Sequence, residues 1–462
     1  MRTEKRMDIV NGPMMSNIIR YTLPLIATNI LQRLYTTADN IVVGRFNGHV
    51  ALAAVGSTSS LINLILNLCT GISIGANVIV AQNYGARNEE GVRKSIHTSV
   101  LVSIIGGLLF ALLGFFLATP LLSLMDTPAE VLPLASLYMK IYFLGAPASM
   151  IYNFCAAILR GIGNTKRPLF FLTVSGIINI ILNLVFVAVF HMGVAGVALA
   201  TTISQYISMV LILVYMVRMK DFCRLELNKL KIYKDQLLRM FHVGIPSGIQ
   251  NSVFNISNVF LQTAVNSFNN PALMAGSAAA SQIENFVHVA LTNVGRTSLT
   301  FTSQNLGARK IKKIPKVALY CSLFSMTLAL VGGTLAMIFA EPLLSLFIDD
   351  NPAAIGFGIE RMRVVVTTYF LNGLMGIFAN CQRGMGSSVT PAVTTLIGAC
   401  GLRILWIQTV FAAAPSLGLL YTSYPVTWFI TASANFVFYL HRYKKLRLHY
   451  SDAESEIVQK AV

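Results

Sequence analysis

Two acidic residues, Asp39 and Glu284, lie inside long apolar stretches of the chain. The other acids among its eighteen Asp and Glu residues lie in tails, in connections or at the ends of such stretches. A carboxylate in the middle of a membrane helix costs roughly 2.5 to 3.5 kcal/mol on insertion scales, and it is rarely kept there without a pathway or a partner. Asp39 and Glu284 are therefore the first candidates for chemistry.

Asp39 shares one predicted helical face with Gln32 and with Tyr35 or Thr36, at spacings of three and four residues. We expect this face to look into a helix bundle. Oxygen-bearing side chains that could converge there lie on two later helices: Ser175, Asn179, Asn183, Thr201 and Thr202. One carboxylate with amide and hydroxyl oxygens suits a small hard cation such as Na⁺, or a shared proton. The alternative is that the amides and hydroxyls only hydrogen-bond between helices.

Glu284 belongs to a second polar stripe, whose members recur every three or four residues: Ser277, Ser281, Glu284 and His288. Either Glu284 faces a cavity, or His288 one turn further on pairs with it and neutralises it. An uncharged polar line of Asn372, Gly376 and Asn380 is expected to line the cavity as well. The predicted substrate-cavity residues are Gln32, Tyr35, Glu284, His288 and Asn372.

Basic residues also lie within the apolar stretches, namely Arg33, Lys140, Arg296 and Arg403. Lys140 and Arg296 lie toward helix ends, where a long side chain reaches the interface. Arg33 and Arg403 lie closer to the middle, where an anionic partner would be favourable, and they argue against a purely cation-selective cavity. Arg33 is six residues from Asp39 and therefore lies on a different helical face.

The elements that hold these residues are predicted to be membrane helices. Of the 462 residues, 55% are hydrophobic and 11% charged, against about 25% charged in a soluble protein. Apolar runs of about twenty residues or more span hydrocarbon as helices. We predict an all-α membrane protein with twelve transmembrane helices, at 16–43, 51–83, 95–119, 131–159, 168–190, 193–217, 237–268, 273–305, 315–340, 353–382, 390–413 and 416–440.

The basic residues orient these spans. The net charge is +17, and most of the 35 Lys and Arg residues fall in the tails and in every second connection. We assign only Arg45, Arg361 and Arg363 to the alternate connections. By the positive-inside rule, both termini are cytoplasmic in a multi-pass protein of the cell membrane. The same distribution makes the lipid bilayer, and not nucleic acid, the expected partner of the basic charge.

The chain is internally repeated. QNYGAR at 82–87 returns as QNLGAR at 304–309, and the same shift of 222 positions carries Pro24 onto Pro246. Six predicted spans in each half mean that both halves enter from the same side, as in transporters whose lobes are related by an axis along the membrane normal. We predict two six-helix lobes, 1–218 and 235–441. The segment between them, 219–234, is predicted to be a cytoplasmic linker that is partly an amphipathic helix, and 442–462 is predicted to be a basic cytoplasmic tail.

Several classes of function are disfavoured. The sequence has no HExxH helix, Walker loop, GxSxG elbow or catalytic dyad, so we expect no enzyme activity and no cofactor other than a coupling ion, H⁺ or Na⁺. The six cysteines show no paired spacing, and we expect neither a disulfide framework nor a metal site, apart from Na⁺ at Asp39.

These features together resemble the multidrug and toxic compound extrusion (MATE) family of cation-coupled efflux transporters. The matching stretches are Pro24, YTTADNIVVG at 35–44, the two QN-x-GAR segments, the RG-x-G segments at 160–163 and 383–386, and GVAG at 193–196. The resemblance covers about 14 to 440. It implies two six-helix lobes that form a V and exchange drug for sodium ions or protons.

Carried over by position, the family's first-lobe cation site falls on Asp39, Asn179, Asn183 and Thr201. Asn183 departs from the pattern, since many members have Asp there, and the missing carboxylate favours protons over sodium ions. The second-lobe acids of one branch would fall near Asn255 and Asn372, both amides here, which leaves Glu284 as the remaining acid of that lobe.

The resemblance implies a monomeric secondary active transporter that exchanges H⁺ or Na⁺ for amphiphilic, mostly cationic small-molecule drugs. The alternative is a flippase for lipid-linked glycan precursors, whose cavity should present several bases to a diphosphate. Arg33 and Arg403 keep this alternative open. A passive channel fits the duplicated lobes poorly.

Overall fold

Helices make up the secondary structure of the described chain. The computed structural model describes residues 7–348 and 351–461, apart from the side chains of residues 40, 47, 49, 52, 255, 256 and 451–461. No strand occurs within these ranges, and the all-helical fold class is confirmed. The prediction for Asn255 falls on a side chain outside the described residues.

The helices of the first half follow one another with short breaks: α1 (Met14–Gly85), α2 (Glu89–Leu124), α3 (Leu132–Leu144), α4 (Ala146–Gly161), α5 (Lys166–Asn183) and α6 (Gly193–Val217). Gly48 divides α1, because its φ of 78° lies in the left-handed region that glycine adopts without steric penalty. α3 and α4 are bent by 46°, and Pro147 near the start of α4 cannot donate a helical hydrogen bond across the break. A π-helical segment, Leu184–Val189, continues α5.

The second half repeats this arrangement: α7 (Lys234–Asn266), α8 (Pro271–Gly307), α9 (Ile314–Ile338), α10 (Ala340–Ser345), α11 (Pro352–Val365), α12 (Tyr369–Gly384), α13 (Val389–Thr395), α14 (Leu402–Trp406) and α15 (Leu417–Ala461). α11 and α12 are bent by 46°, like α3 and α4. Two π-helical segments, Leu396–Gly401 and Ile407–Phe411, flank α14. The shift of 223 positions that relates Pro168 to Pro391 makes Ile407–Phe411 the sequence equivalent of the π-helical segment Leu184–Val189 of the first half.

Helix length and apolar composition alone identify some, but not all, of the twelve predicted spans. Within the described residues, six helices are long and apolar enough to cross a membrane, or eight if each bent pair is one span. The helical segments that carry Asp39 and Glu284 are not among them. The chain thus has several membrane-spanning helices, and the count of twelve stays a prediction.

The linker between the halves is not an amphipathic helix, so this part of the prediction is wrong. Residues 218–233, all of which are described, contain one short 3-10 helix, Leu227–Lys229. Cys223 and Leu225 are fully buried, and the Leu225 amide donates to the Met216 carbonyl at 3.1 Å. Because the buried residues are two positions apart, they follow the period of extended chain and not that of a helix.

The chain divides into two compact units. Unit 1 comprises Leu23–Gly248, and unit 2 comprises Asp8–Thr22 with Ile249–Val462. The start of α1 therefore belongs to unit 2 and the start of α7 to unit 1, whereas the predicted lobes 1–218 and 235–441 place both segments the other way round. As functional domains, the predicted lobes stay a prediction.

Hydrogen bonds hold both of these segments. In unit 2, the Thr22 and Thr297 hydroxyl oxygens lie 2.8 Å apart. In unit 1, the Ser95 hydroxyl donates to the Gln236 side-chain carbonyl at 2.9 Å. All four residues are buried, so each bond satisfies polar groups that water does not reach.

Two glycines of α1 allow close contact with the start of α7 in unit 1. A Cβ at Gly75 would overlap the Met240 carbonyl oxygen, and a Cβ at Gly71 would overlap the backbone of Gly248. Glycines four residues apart form the small face through which membrane helices approach each other. The contact leaves no room for a side chain at either position.

We expect Gly75→Ala to lower the free energy of unfolding by about 1 to 3 kcal/mol, because an added methyl group in a packed contact forces the backbones apart. Denaturant unfolding of the purified protein in detergent measures the change. Gly56→Ala on the same helix is the matched control, since nothing lies within 4 Å of a Cβ there. Equal stability of the two variants would contradict the close contact.

Candidate functional site

Four of the predicted residues, Asp39 among them, come together in unit 1. The Asn183 amide donates to one carboxylate oxygen of Asp39, and the Thr201 hydroxyl donates to the other at 3.4 Å. Asn183 Nδ2 also donates to Asn179 Oδ1 at 3.3 Å. Asn179 Nδ2 in turn donates to Thr201 Oγ1 at 3.5 Å. The side chains of α1, α5 and α6 thus form a closed hydrogen-bonded ring, which we call the Asp39 ring.

The spacing on α5 explains why two amides reach the same point. Asn179 and Asn183 are one helical turn apart and are 4% and 1% exposed. The side-chain carbonyl oxygen of Asn183 is buried, and no hydrogen-bond partner for it lies in the described part of the chain. The π-helical segment begins directly after Asn183, and such segments often occur at functional sites. The ring therefore offers one further oxygen to an incoming proton or cation.

The Asp39 ring carries one carboxylate. Within the described residues, no group of three or more His, Cys, Asp or Glu side chains could hold a metal ion. A single carboxylate with neutral oxygens matches a monovalent cation or a proton better than a divalent metal ion, which usually binds several carboxylates. The chemistry open to this site is reversible binding of one positive charge.

Two predicted members do not join the ring. The Ser175 hydroxyl donates to the Leu172 carbonyl at 3.1 Å, within its own helix. The Thr202 hydroxyl donates to the Ile141 carbonyl at 3.0 Å, on α3. Thr202 thus hydrogen-bonds between helices, which is the alternative that the sequence leaves open, whereas Ser175 bonds within its own helix.

Tyr35 packs beside the ring. Its hydroxyl donates to the Thr173 carbonyl at 3.5 Å, and a Cβ at Gly176 would overlap its aromatic ring, so Gly176 provides the space for it. Gln32 is exposed. The predicted polar face thus turns into the bundle at Tyr35 and Asp39 but not at Gln32.

Two tyrosines of α3 also lie near Asp39 and are not predicted from the sequence. The phenol groups of Tyr138 and Tyr142 are close enough to interact electrostatically with its carboxylate. Their rings stack with centroids 6.1 Å apart. Their spacing of one helical turn, in an otherwise apolar span, is the signal that could have identified them.

In unit 2, Glu284 forms an ion pair with Arg361. Arg361 Nε and Nη2 each donate to one carboxylate oxygen at 2.9 Å, and Nη1 donates to Ser277 Oγ at 2.8 Å. Glu284 is 3% exposed and Arg361 is 5% exposed. Arg361 thus neutralises Glu284, whereas the sequence offered His288 as its partner. The His288 ring lies 6.2 Å from that of Tyr369.

The assignment of Arg361 to a connection is therefore wrong. Arg361 lies on α11, where it shares a buried face with Gly358, Met362 and Val365. Glu360, directly before it, is exposed. The recurrence of buried positions at three and four residues is the signal of a helix face, and the neighbouring charges obscure it.

Other predicted residues of unit 2 have mixed surroundings. Ser281 is half-buried, and Asn372 is buried on α12. Asn380, at the far end of the polar line, donates to the Gly376 carbonyl at 2.8 Å and accepts from Arg383 Nη1 at 3.1 Å. This end of the line is used in structural hydrogen bonds.

The two arginines predicted to lie closer to the middle of the apolar stretches differ in exposure. Arg33 on α1 is exposed. Arg403 on α14 is fully buried, with its guanidinium carbon 4.4 Å from the centre of the Tyr424 ring. Its Nη2 donates to Thr427 Oγ1 at 3.4 Å. Arg403 therefore belongs to the interior of unit 2.

Comparison with known proteins supports one family. A family model described as MatE matches residues 24–185 and again residues 246–407, which together cover most of the chain. The probable multidrug resistance protein YoeA of Bacillus subtilis (strain 168) is 26% identical over 437 residues, covering 88% of this chain and 93% of that protein. A FAD transporter of Shewanella oneidensis is 24% identical over 413 residues, covering 87% of this chain and 88% of that protein.

Solved structures show the same fold. A crystal structure of MATE in complex with MaL6 superposes with a TM-score of 0.90 at 23% identity, covering 96% of this chain and 100% of that one. An outward-facing multidrug resistance MATE family transporter superposes with a TM-score of 0.89 at 22% identity and the same coverage. At this identity the likeness concerns the fold alone.

Proposed function

This chain belongs to the MatE family of multidrug efflux transporters, and from that premise we propose that it exports amphiphilic, mostly cationic drugs in exchange for H⁺ or Na⁺ bound at Asp39. The observation that carries the proposal is the Asp39 ring. It gathers one carboxylate, two amides and one hydroxyl inside a bundle of membrane helices.

The ring can hold two states of the carboxylate. Ionised Asp39 accepts hydrogen bonds from Asn183 and Thr201. Protonated Asp39 has a hydroxyl to donate, and the buried Asn183 carbonyl oxygen, which has no partner, can accept it after the amide rotates. Exchange between the states changes the hydrogen bonds among α1, α5 and α6. We propose that this change reshapes unit 1 and releases the drug outward.

Protons are the favoured coupling ion. Where many family members have a second carboxylate, this chain has Asn183, and one carboxylate compensates a bound Na⁺ less well than two. The proton needs a single carboxylate and one acceptor. Sodium remains the alternative, since the amide and hydroxyl oxygens of the ring are hard ligands.

The membrane potential can drive the exchange. One positive charge that moves inward releases about 2.3 kcal/mol per 100 mV. Such a charge supports uphill export of a neutral compound, and it supports export of a cation less well because the outgoing charge opposes the potential. We propose a monomer in the cell membrane with both termini cytoplasmic, as the distribution of basic residues indicates.

The proposed cargo contacts are Gln32 and Tyr35, which lie on the helix of Asp39. Glu284 is proposed to act through its ion pair with Arg361, since both of its oxygens are already bound. His288 and Asn372 stay proposed members of the cavity.

The flippase alternative is not favoured. It requires several bases that are free to face a diphosphate, yet Arg361, which contacts the same Tyr424 ring as Arg403, is already paired with Glu284. The relatives described above are named a multidrug resistance protein and a FAD transporter. FAD is therefore the second cargo to test.

The test is transport by the purified chain in proteoliposomes, with pH and sodium gradients imposed separately. We expect a pH gradient to drive movement of a fluorescent amphiphilic cation, and a sodium gradient at constant pH to drive it weakly or not at all. Labelled FAD replaces the dye in a parallel series. Movement of neither cargo with either gradient, in protein that is folded by thermal unfolding, would sink the proposal.

A further inference from the structure

The charges buried in unit 2 do not balance. The carboxylate of Glu284 has both oxygens bound by Arg361, and Arg361 Nη2 also donates to the Tyr424 hydroxyl at 3.3 Å. Arg403 contacts this cluster through the Tyr424 ring, with its guanidinium carbon 4.4 Å from the ring centre. Within the described residues, no carboxylate lies within ion-pair distance of Arg403. The cluster thus holds two guanidinium groups and one carboxylate.

Arg403 has unused hydrogen-bond donors. Among the described residues, its buried Nε and Nη1 find no hydrogen-bond partner, and the hydrogen bond from its Nη2 to Thr427 is long at 3.4 Å. The side chain is fully buried and therefore does not reach the surface of the protein. Stacking on Tyr424 offsets part of the desolvation of the charge but satisfies none of these donors. A buried, unpaired charge is unfavourable unless a counter-charge arrives.

Arg403 lies where the repeat places the Asp39 ring in unit 1. The shift of 223 carries Thr201 onto Tyr424 and Asn179 onto Leu402, the neighbour of Arg403. The π-helical segments that follow Asn183 and Trp406 correspond under the same shift. The equivalent region thus has a carboxylate, Asp39, in unit 1 and a guanidinium, Arg403, in unit 2, although these two residues are not at equivalent positions of the repeat.

We propose that Arg403 and its neighbours Tyr424 and Thr427 form a binding site for an anionic oxygen group, a carboxylate or a phosphate. The site is separate from the Asp39 ring and takes a ligand of opposite charge. The planar guanidinium suits such groups, since its N–H donors match their oxygens in spacing and direction. The group comes either from a soluble anion or from an anionic lipid head group.

Tryptophan fluorescence gives a local measurement of binding. The chain has two tryptophans. Trp428 lies 5.2 Å from the Tyr424 ring on which Arg403 stacks, and Trp406 is on the same helix as Arg403. The purified full chain in phosphatidylcholine nanodiscs is titrated with sodium acetate or sodium phosphate, with chloride replaced at constant ionic strength. A parallel sample uses nanodiscs that contain phosphatidylglycerol.

We expect a saturable change of emission with acetate or phosphate if the source is soluble, or a difference between the two kinds of nanodisc if it is lipid. Arg403→Gln should weaken the response by about tenfold or more, the effect of losing hydrogen bonds to a charged group. Arg33→Gln, which changes an exposed arginine of unit 1, is the matched control and should leave it unchanged.

Thermal unfolding separates this site from a structural role of Arg403. If Arg403 is an unpaired charge that awaits an anion, acetate or phosphate stabilises the wild-type protein and not Arg403→Gln. Should Arg403→Gln fail to fold, Arg403→Lys keeps the charge without the planar donors and should bind several-fold more weakly. No emission change with any probe, or equal responses of the wild-type and substituted proteins, would overturn the proposal.

Discussion

Replacement of Asp39 by asparagine is expected to abolish drug-dependent ion exchange while the protein remains folded. Asparagine has nearly the same shape and can still hydrogen-bond with Asn183 and Thr201, but it cannot gain or lose a proton. The ring then has only one state, because the residue at position 39 no longer alternates between an ionised and a protonated form. In proteoliposomes, gradient-driven movement of the fluorescent cation should fall to the level of vesicles without protein.

Asp126→Asn is the matched control for this substitution. Asp126 is an exposed acid of the same half, and its positive φ of 53° suits asparagine as well as aspartate. We expect its transport to equal that of the wild-type protein. Full exchange by Asp39→Asn, at wild-type levels of incorporated protein, would remove Asp39 from the coupling mechanism.

The Asp39 ring could be predicted from the sequence because two of its residues are close together along the chain. Asn179 and Asn183 are one turn apart on a single helix, so the helical period alone places both on one face. An acid in an apolar span must find partners, and polar faces of neighbouring helices are the natural ones. The resemblance to a known family adds Thr201 to the set. The structure brings these residues together at 3.3 to 3.5 Å for the longer contacts.

The ion pair of unit 2 was not open to prediction in the same way. Glu284 and Arg361 are 77 positions apart, and nothing in the local period of either helix relates them. Arg361 also lies beside other charged residues, Glu360 and Arg363, which is why it was assigned to a connection although the predicted span 353–382 includes it. Tertiary packing of α8 against α11 decides this contact, and a single sequence does not report such packing.

The exchanged starts of α1 and α7 were hidden for a related reason. The repeat shows that Pro24 and Pro246 are equivalent, and each can interrupt a helix. It does not show with which half the segment before each proline packs. That depends on side chains such as Thr22 and Gln236, which find their partners far along the chain.

Glu284→Gln is expected to destabilise the protein by about 3 to 5 kcal/mol, because removal of one partner leaves a buried charge without compensation. Here the effect is compounded, since Arg361 and Arg403 would then remain as two guanidinium groups with no acid in the cluster. Arg361→Gln leaves one acid and one base, and should cost less. Denaturant unfolding in detergent measures both. Glu341→Gln, at an exposed acid of the same unit, is the control and should be neutral.

The double substitution Glu284→Met with Arg361→Met tests whether the pair stabilises the fold or serves another purpose. A buried ion pair is often no more stable than apolar side chains of similar volume, so we expect the double variant to recover most of the stability lost by Glu284→Gln. If transport is lost while stability returns, the pair contributes to the conformational change. If Glu284→Gln is as stable as Glu341→Gln, the carboxylate is not the counter-charge that holds Arg361 in unit 2.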